Sequence, residues 1–175
     1  MKNSKNTKVV FMEKIFYGIH ETSFGSYLLI ATSDHQVLFG AFVDDEKKET
    51  LFLRIKKMWP TCILVEDKKS TQLLTNQAFD PIMRDRVPLS LHGTPFQKAV
   101  WQALLGIKEG EVTTYALIAQ QIGRPTAVRA VANAIANNNI AVLVPCHRVI
   151  ATSGAVGGYR WGVARKQALL SSEQK

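Results

Sequence analysis

The segment VLVPCHRVI, residues 142–150, places a cysteine where it could act as a nucleophile. Apolar residues suited to a buried strand flank Cys146, which lies between Pro145 and a His-Arg pair. The thiolate is the reactive form of cysteine, and positive charge on His147 and Arg148 would lower the pKa of the thiol. Neighbouring residues of a strand point to opposite faces, so contact between Cys146 and His147 requires a turn or a bridging water. Pro145 favours a turn.

An inert cysteine buried in the core is the alternative for Cys146. Lone cysteines in apolar runs are more often core residues than nucleophiles, and Cys62 in PTCILVED fits that pattern. The chain has two cysteines and no spacing typical of a disulfide framework, so we expect it to be reduced and cytoplasmic. No resolving cysteine lies near Cys146, which disfavours a redox enzyme or a thiol hydrolase.

The loop ATSGAVGGYRW, residues 151–161, follows the cysteine segment and is rich in glycine. Glycines let a backbone approach a ligand closely, and Tyr159 could stack on a base. A surface hairpin would have the same composition, so the loop alone is a weak indication of a binding site.

Two amphipathic segments within residues 113–138 predict a helix-turn-helix. Gly123-Arg124-Pro125 breaks the first helix, and Thr126 can cap the second. The apolar positions recur at helical spacing in both segments: Tyr115, Ile118, Ala119 and Ile122, then Val128, Val131, Ala132 and Ile135. The basic surroundings favour DNA as the target. An ordinary helical hairpin inside a core is the alternative.

The second of these helices lacks the side chains of a sequence-specific reader. Its expected outward positions are Ala127, Arg129, Ala130, Asn133 and Ala134. Direct readout in the major groove needs several long polar side chains that reach base edges. Alanines would instead let the helix lie against the sugar-phosphate backbone, with Arg129 as the one long probe. This surface predicts duplex binding without strong sequence preference and insertion of Arg129 into the base stack, as in base-flipping enzymes.

Positive charge is concentrated in the second half of the chain. The 175 residues carry a formal net charge of +8. Residues 1–90 hold 13 Lys and Arg against 11 Asp and Glu, whereas residues 91–175 hold 9 against 3. A basic field confined to one half favours a polyanionic partner over a merely solvated basic surface. No apolar run reaches the roughly 18 residues of a membrane span, and no signal-peptide core is present, so no membrane partner is expected.

The pattern of turn-forming residues predicts two units, residues 1–88 and residues 89–175. The segment DRVPLSLHGTP, residues 85–95, is the boundary candidate, and Thr94 and Pro95 can begin a helix that Gly106 ends. The first unit carries no catalytic constellation. Its expected elements are strands around Ile15–His20, Ser26–Thr32, Gln36–Val43 and Ile63–Val65, and helices at Glu46–Met58 and Thr71–Met83, with Pro81 limiting the end of the second helix.

Four stretches of the second unit resemble the O6-alkylguanine-DNA alkyltransferases, also called methylated-DNA–protein-cysteine methyltransferases. They are GTPFQKAVWQAL, TTYALIAQQIGRPTAVRAVANAIANN, VPCHRVI and GYRWGVARKQALL, and they occur in the family's order. The last resembles most the C-terminal domain of the Ada adaptive-response regulators. The resemblance implies an α+β fold, with a small ribonuclease-H-like α/β domain at residues 1–88. It also implies a mainly helical domain with a helix-turn-helix at residues 89–175.

The resemblance implies DNA repair by a single, irreversible transfer without a cofactor. Cys146 would attack the alkyl carbon on O6 of a flipped guanine, and also on O4 of thymine, and keep it as a thioether. His147 would act as base on the thiol through a water, and Glu173 would orient the imidazole. Asn138 corresponds to the asparagine that joins the recognition helix to the active site.

The family's substrate and DNA contacts also map onto this sequence. Tyr115 corresponds to the tyrosine that rotates the target phosphate and donates a hydrogen bond to the departing guanine, and Arg129 to the arginine that fills the vacated place. The implied substrate-binding residues are Tyr115, Ile135, Val149, Gly157, Tyr159 and Arg160, the last through its backbone amide. The implied DNA-binding residues are Thr114, Tyr115, Thr126, Ala127, Arg129, Ala130 and Asn133.

The sequence also departs from the family. Asn139 stands where many members have proline, and Trp161-Gly162 replaces a common Gly-Gly, which leaves the pocket width open. The zinc-binding cysteine domain of the full adaptive regulators is missing, so a methylation-activated transcription factor is not expected. For the structural zinc of some members the N-terminal half of the chain offers only four ligands, and we predict no metal site. These four are His20, His35, Cys62 and His92.

A non-catalytic helix-turn-helix protein, such as a damage sensor, is the alternative function. Family relatives of that kind have lost the cysteine, whereas this chain keeps Cys146. The expected partner of either protein is double-stranded DNA, and a monomer is expected to bind it. The transferase should bind O6-alkylguanine duplexes without strong sequence preference and with affinity falling steeply in salt, whereas a regulator should protect one operator.

Overall fold

A four-stranded mixed sheet forms the first part of the computed structural model, which describes residues 13–44 and 48–174. The strands run in the order β3-β2-β1-β4; β1 and β4 are parallel, and the other pairs are antiparallel. Their bounds are Lys14–Thr22 (β1), Gly25–Thr32 (β2), Val37–Phe42 (β3) and Ile63–Glu66 (β4). The four predicted strands are therefore confirmed.

The sheet is buried on both faces because its strands alternate apolar side chains between two cores. Leu28 and Ile30 of β2 point toward helix α1 (Lys48–Met58), which packs through Leu51 and Ile55. Tyr27 and Leu29 point the other way, toward helix α2 (Lys68–Phe79) and the helices of the second unit. The predicted start of α1 at Glu46 lies outside the described residues.

Helix α2 differs from the predicted Thr71–Met83 at both ends. It begins at Lys68, because the Asp67 side chain caps it by accepting a hydrogen bond from the Ser70 amide at 3.0 Å. It ends at Phe79, because Asp80 precedes Pro81 and adopts an extended conformation with ψ 120°. The prediction that the helix reaches Met83 is wrong.

The second unit is mainly helical, as predicted. Thr94 and Gln97 form a reciprocal capping box at the start of α3, with Pro95 in its first turn. The helices are α3 (Pro95–Leu105), α4 (Tyr115–Gln121), α5 (Val128–Ala136) and α6 (Val163–Glu173). Two short strands, β5 (Thr113–Thr114) and β6 (Val149–Ile150), pair in parallel and join the start of α4 to the residues after the cysteine. The α+β class predicted from the sequence is confirmed.

Hydrogen bonds fasten the segment before the cysteine to the sheet. Gly40 of β3 donates to the Asn139 carbonyl at 2.9 Å and accepts from the Ala141 amide at 2.7 Å. The fully buried Tyr27 donates its hydroxyl proton to the Ala141 carbonyl at 2.7 Å. A Cβ atom at Gly40 would collide with that hydroxyl, so the close approach requires glycine. One core thus joins both units, and the boundary between residues 88 and 89 stays a prediction.

No helix in residues 13–44 and 48–174 is long and apolar enough to cross a membrane. No group of three or more His, Cys, Asp or Glu side chains there is arranged to hold a metal ion.

Candidate functional site

Cys146 begins a short 3₁₀ turn, Cys146–Arg148, directly after Pro145. The turn that contact with His147 requires is therefore present. The backbone before it is tightly folded: Val142 has φ 71°, which is rare for a β-branched residue, and Cys146 donates its amide to the Val144 carbonyl at 2.7 Å. Residues 141–149 are all buried, so packing holds this unusual path.

The sulfur of Cys146 is held by Asn138. Nδ2 of Asn138 lies 3.1 Å from Cys146 Sγ and 3.0 Å from the Val144 carbonyl, while its Oδ1 accepts from the Ile140 amide at 2.9 Å. Asn138 is 1% exposed and directly follows the turn that ends α5. It therefore connects the second helix of the helix-turn-helix to the sulfur through a single side chain.

The pKa of the Cys146 thiol is raised, contrary to the expectation from its neighbours. Burial is the largest cause, and the hydrogen bond from Asn138 and the charge of Lys166 oppose it. Arg148 does not lie beside the sulfur, because its guanidinium turns away to Glu173 and to the Ile107 carbonyl. Cys146 therefore needs a base to take its proton at neutral pH.

His147, the residue after Cys146, is fully buried. Its Nε2 lies 2.9 Å from Oε1 of Glu173, and its Nδ1 has no hydrogen-bond partner within the described parts of the chain. Burial lowers the pKa of His147, and the hydrogen bond to Glu173 offsets part of this effect. The imidazole is thus neutral at pH 7, the state in which it can accept a proton.

Glu173, at the end of α6, collects donors from three parts of the chain. Besides His147, Arg148 binds both carboxylate oxygens, through Nε at 2.9 Å and Nη2 at 2.8 Å. Arg84, in a short 3₁₀ helix after α2, donates through Nη1 at 3.1 Å. Burial works to raise the pKa of Glu173, but the hydrogen bonds from His147 and Arg148 outweigh it and hold the pKa well below its usual value. The carboxylate stays ionised and fixes the imidazole.

Lys166 of α6 is a fully buried lysine close to the cysteine turn. It is 1% exposed, and its Nζ donates to the Val149 carbonyl at 2.6 Å. Burial lowers the pKa of Lys166, while the Cys146 thiolate acts in the opposite direction. Its charge favours a thiolate at Cys146, so it is a candidate functional residue that sequence reasoning missed.

A pocket of about 260 Å³ opens onto Cys146. Aromatic rings and small side chains form its wall, which suits a flat heterocycle. Its lining residues are Tyr115, Ala132, Ile135, Ala136, Cys146, Gly158, Tyr159, Arg160 and Trp161. Burial raises the pKa of Tyr159 well above its ordinary value, and the nearby Cys146 acts in the same direction. The Tyr159 hydroxyl therefore keeps its proton.

The wall of the pocket at Trp161 is tied to the first unit by Arg165. Trp161 packs edge-on against Tyr159, with ring centroids 5.2 Å apart. Arg165 donates to the Trp161 carbonyl at 2.8 Å and to the Phe24 carbonyl at 2.7 Å, and it pairs with Asp44 at 2.5 Å. The loop between Cys146 and α6 is therefore held against the first unit near its end.

Helices α4 and α5 form the helix-turn-helix next to this pocket. Thr114 caps α4 by accepting from the Leu117 amide at 3.3 Å, and Gly123 turns the chain with φ 68°. Four of the residues predicted to contact DNA are exposed: Thr126, Arg129, Ala130 and Asn133. Thr114, Tyr115 and Ala127 are partly buried at the edge of the same face.

Two expectations for α5 are wrong. Thr126 does not cap it, because Ala127 takes the cap position and no side chain bonds the first turn. Ala134 does not point outward; it is 3% exposed, and its carbonyl accepts from Trp101 Nε1 at 2.8 Å. The contact with Trp101 of α3 therefore places Ala134 on the buried side of α5. Val128, at the start of the helix, is 36% exposed.

Most of the predicted substrate residues meet at the pocket. Tyr115, Ile135, Tyr159 and Arg160 line it together with Cys146. Val149 does not line the pocket, because its side chain is fully buried. Its carbonyl accepts a hydrogen bond from Lys166. Gly157 lies at the edge with φ 70°, and a Cβ there would lie 3.8 Å from the Tyr115 hydroxyl.

Comparison with known proteins gives a consistent set of relatives. Residues 95–175 match the family model described as the DNA-binding domain of 6-O-methylguanine DNA methyltransferase. The methylated-DNA–protein-cysteine methyltransferase of Saccharomyces cerevisiae is 30% identical over 178 residues, covering 93% of this chain and 95% of the relative. The bifunctional transcriptional activator/DNA repair enzyme Ada of Escherichia coli is 39% identical over 153 residues, or 83% of this chain. The chain spans only 42% of the length of Ada.

Solved structures give the same result. The crystal structure of Mycobacterium tuberculosis O6-methylguanine methyltransferase superimposes with a TM-score of 0.75 at 32% identity, covering 91% of this chain and 93% of that one. A structure of the Mycobacterium tuberculosis protein in complex with DNA gives a TM-score of 0.73 at 33% identity, with 92% of each chain covered.

Proposed function

Because this chain belongs to the O6-alkylguanine-DNA alkyltransferase family, we propose that it repairs DNA as a methylated-DNA–[protein]-cysteine S-methyltransferase. It would transfer a methyl or other alkyl group from O6 of guanine, and from O4 of thymine, to Cys146. The observation that carries the proposal is a buried sulfur at the base of an aromatic pocket, with Asn138 linking it to the helix-turn-helix. The retained cysteine also distinguishes the chain from a non-catalytic damage sensor.

The proposed reaction is a single displacement at carbon. His147 takes the thiol proton through a water, and the thiolate sulfur attacks the alkyl carbon. A carbon–sulfur bond forms, the carbon–oxygen bond breaks, and its electron pair returns to the guanine. Tyr115, at the rim of the pocket, donates a hydrogen bond to the departing base. The guanine takes up a proton and His147 releases the thiol proton through the water, so the net proton transfer is from the thiol to the base. No step removes the thioether, so each molecule reacts once.

Binding of the damaged duplex is assigned to the exposed face of α5. The small side chains of Ala127 and Ala130 let the helix approach the sugar-phosphate backbone, and Arg129 is the long side chain between them. The extruded guanine would enter the pocket beside Tyr159, and Arg129 would occupy its place in the stack. Every residue of the proposed site comes from one chain, which supports action as a monomer.

A cytoplasmic location is part of the proposal. Both cysteines are free thiols, and Cys146 must stay reduced in order to react. Oxidation of Cys146 would remove the nucleophile.

Intact-mass measurement tests the proposed function. After incubation with one equivalent of an O6-methylguanine duplex, the protein should gain the mass of one methyl group in place of hydrogen, on the peptide that carries Cys146. The duplex should contain guanine in stoichiometric amount, and a second equivalent of substrate should remain unrepaired. Catalytic turnover, or a methyl group on any other residue, would contradict the proposal.

Arg129→Ala should separate DNA binding from thiol chemistry. The substitution removes the probe of the exposed α5 face and leaves the Cys146 environment intact, so repair of duplex O6-methylguanine should slow by about 10- to 100-fold, equivalent to the few kcal/mol of extruding a base. Reaction with free O6-benzylguanine should change less than about twofold. Arg124→Ala, also on the exposed surface but in the turn, is the matched control. Equal losses on both substrates would count against a role in base extrusion.

A further inference from the structure

Arg84 lies near the end of the first unit, and its side chain reaches the carboxylate that orients His147. It belongs to the short 3₁₀ helix Arg84–Arg86, 89 positions before Glu173 in the sequence. Its Nε donates to the Ala78 carbonyl at the end of α2, at 3.0 Å, and its Nη1 donates to Glu173 Oε1 at 3.1 Å. The first unit therefore contributes a side chain to the proposed active site.

The position of this guanidinium is fixed on two sides. Its side chain is 11% exposed, and that of Glu173 is 3% exposed. The Arg84 backbone amide donates to the Asp80 carbonyl at 2.9 Å, which anchors the 3₁₀ helix to the end of α2. Glu109 lies 3.9 Å away on the outer side and is 28% exposed. The stronger and more buried of the two contacts is the one with Glu173.

Arg84 shares one oxygen atom with the imidazole of His147. Oε1 of Glu173 accepts from His147 Nε2 at 2.9 Å, from Arg148 Nη2 at 2.8 Å and from Arg84 Nη1 at 3.1 Å. Two permanent cations thus surround a carboxylate that would otherwise favour a proton on the imidazole. A charge so close and so little exposed is weakly screened by salt.

We propose that Arg84 is a positioning residue for alkyl transfer: it fixes Glu173 and disfavours a proton on His147, which keeps the base available below neutral pH. The charged groups around the pair support this direction. Arg148, on the same turn, and Arg84, from the first unit, both lower the pKa of His147, whereas Glu173 raises it. Cys146 lines the pocket, Lys166 acts on the Cys146 thiol, and Glu109 offsets part of the Arg84 charge from outside.

The inference rests on the proposed function, and its test is the pH dependence of single-turnover methyl transfer. In Arg84→Gln, which keeps a hydrogen-bond donor without the charge, the acid limb of the rate profile should move up by about one pH unit. On the acid limb, at pH values well below the pKa of His147, the rate should fall by about tenfold, and the alkaline plateau should change by less than about twofold. Arg84→Lys, which keeps the charge, should recover at least half of the shift. Arg86→Gln, exposed on the same 3₁₀ helix, is the matched control and should show no shift.

A second variant acts in the opposite direction without touching Arg84. Glu109→Gln removes the outer carboxylate that offsets the guanidinium, so its acid limb should move down by about 0.3 pH unit. This surface variant keeps the test decisive if Arg84→Gln proves unstable. An unchanged or upward limb in Glu109→Gln would count against the proposal.

An NMR titration of His147 separates this proposal from the proposed function, because it needs no DNA. The imidazole signal that disappears in His147→Gln should titrate at higher pH in Arg84→Gln than in the unsubstituted protein. An identical titration, or a rate lowered by one factor at every pH, would reduce Arg84 to a structural role and overturn the proposal. Absence of methyl transfer from the unsubstituted protein would instead refute the proposed function and leave the titration result standing.

Discussion

Replacing Cys146 with serine is expected to abolish methyl transfer, with a loss of more than about 10⁴-fold in rate, the order seen when an enzyme loses its nucleophile. A serine hydroxyl is far less acidic than a thiol and a weaker nucleophile toward saturated carbon. The neutral His147 is too weak a base to generate an alkoxide. Single-turnover assays with radiolabelled O6-methylguanine duplex measure the loss directly.

The same variant should still bind damaged DNA. Asn138 can donate to a hydroxyl oxygen as it does to Sγ at 3.1 Å, and the exposed face of α5 is unchanged. We therefore expect Cys146→Ser to hold an O6-methylguanine duplex without repairing it. Cys62→Ser is the control, because Cys62 lies between α1 and β4 and does not line the Cys146 pocket. Methyl transfer that depends on Cys62, or that survives in Cys146→Ser, would show that another residue accepts the group.

The sequence was informative where local rules decide the outcome. The capping box at Thr94, the alternation of β2 and the turn after Pro145 all follow from residues within a few positions of one another. Ala134 shows the limit of such reasoning. Its outward position follows from the helical period alone, and the contact with Trp101, 33 positions away, reverses it.

The proposed active site also contains residues that the sequence predicted and residues that it did not. Cys146, His147, Glu173 and Asn138 were predicted from the resemblance, and their hydrogen bonds in the structure are consistent with those roles. Arg84 and Lys166 were missed, because their neighbours in the sequence do not indicate their partners; only the folded chain brings them near Glu173 and Cys146. The prediction that Arg148 lies beside the sulfur is wrong, because the 3₁₀ turn directs its guanidinium to Glu173.

Removing the carboxylate of Glu173 is expected to cost the most stability of any single change at the site. Its two oxygens accept from Arg84, His147 and twice from Arg148, and its side chain is 3% exposed. Glu173→Ala leaves two buried guanidinium groups without their counter-charge, which should lower the free energy of unfolding by about 3–5 kcal/mol. Urea denaturation followed by circular dichroism measures this loss. Glu109→Gln, which alters only a 3.9 Å contact of a partly exposed carboxylate, should cost less than about 1 kcal/mol.

The pH dependence of this stability tests the ionised state of Glu173. Because its pKa in the folded protein is depressed below the ordinary 4.5, its contribution is fully present above that pH. The contribution is lost as the pH falls below 4.5 toward the folded-state value, since the unfolded chain then binds the proton more readily. Glu173→Gln cannot be protonated and lacks this contribution, so the difference in unfolding free energy between it and the unsubstituted protein should shrink as the pH falls from 5 toward 3, about the range in which an unfolded glutamate titrates. A difference that stays constant across that range would mean that Glu173 stabilises the site by packing and not by its charge.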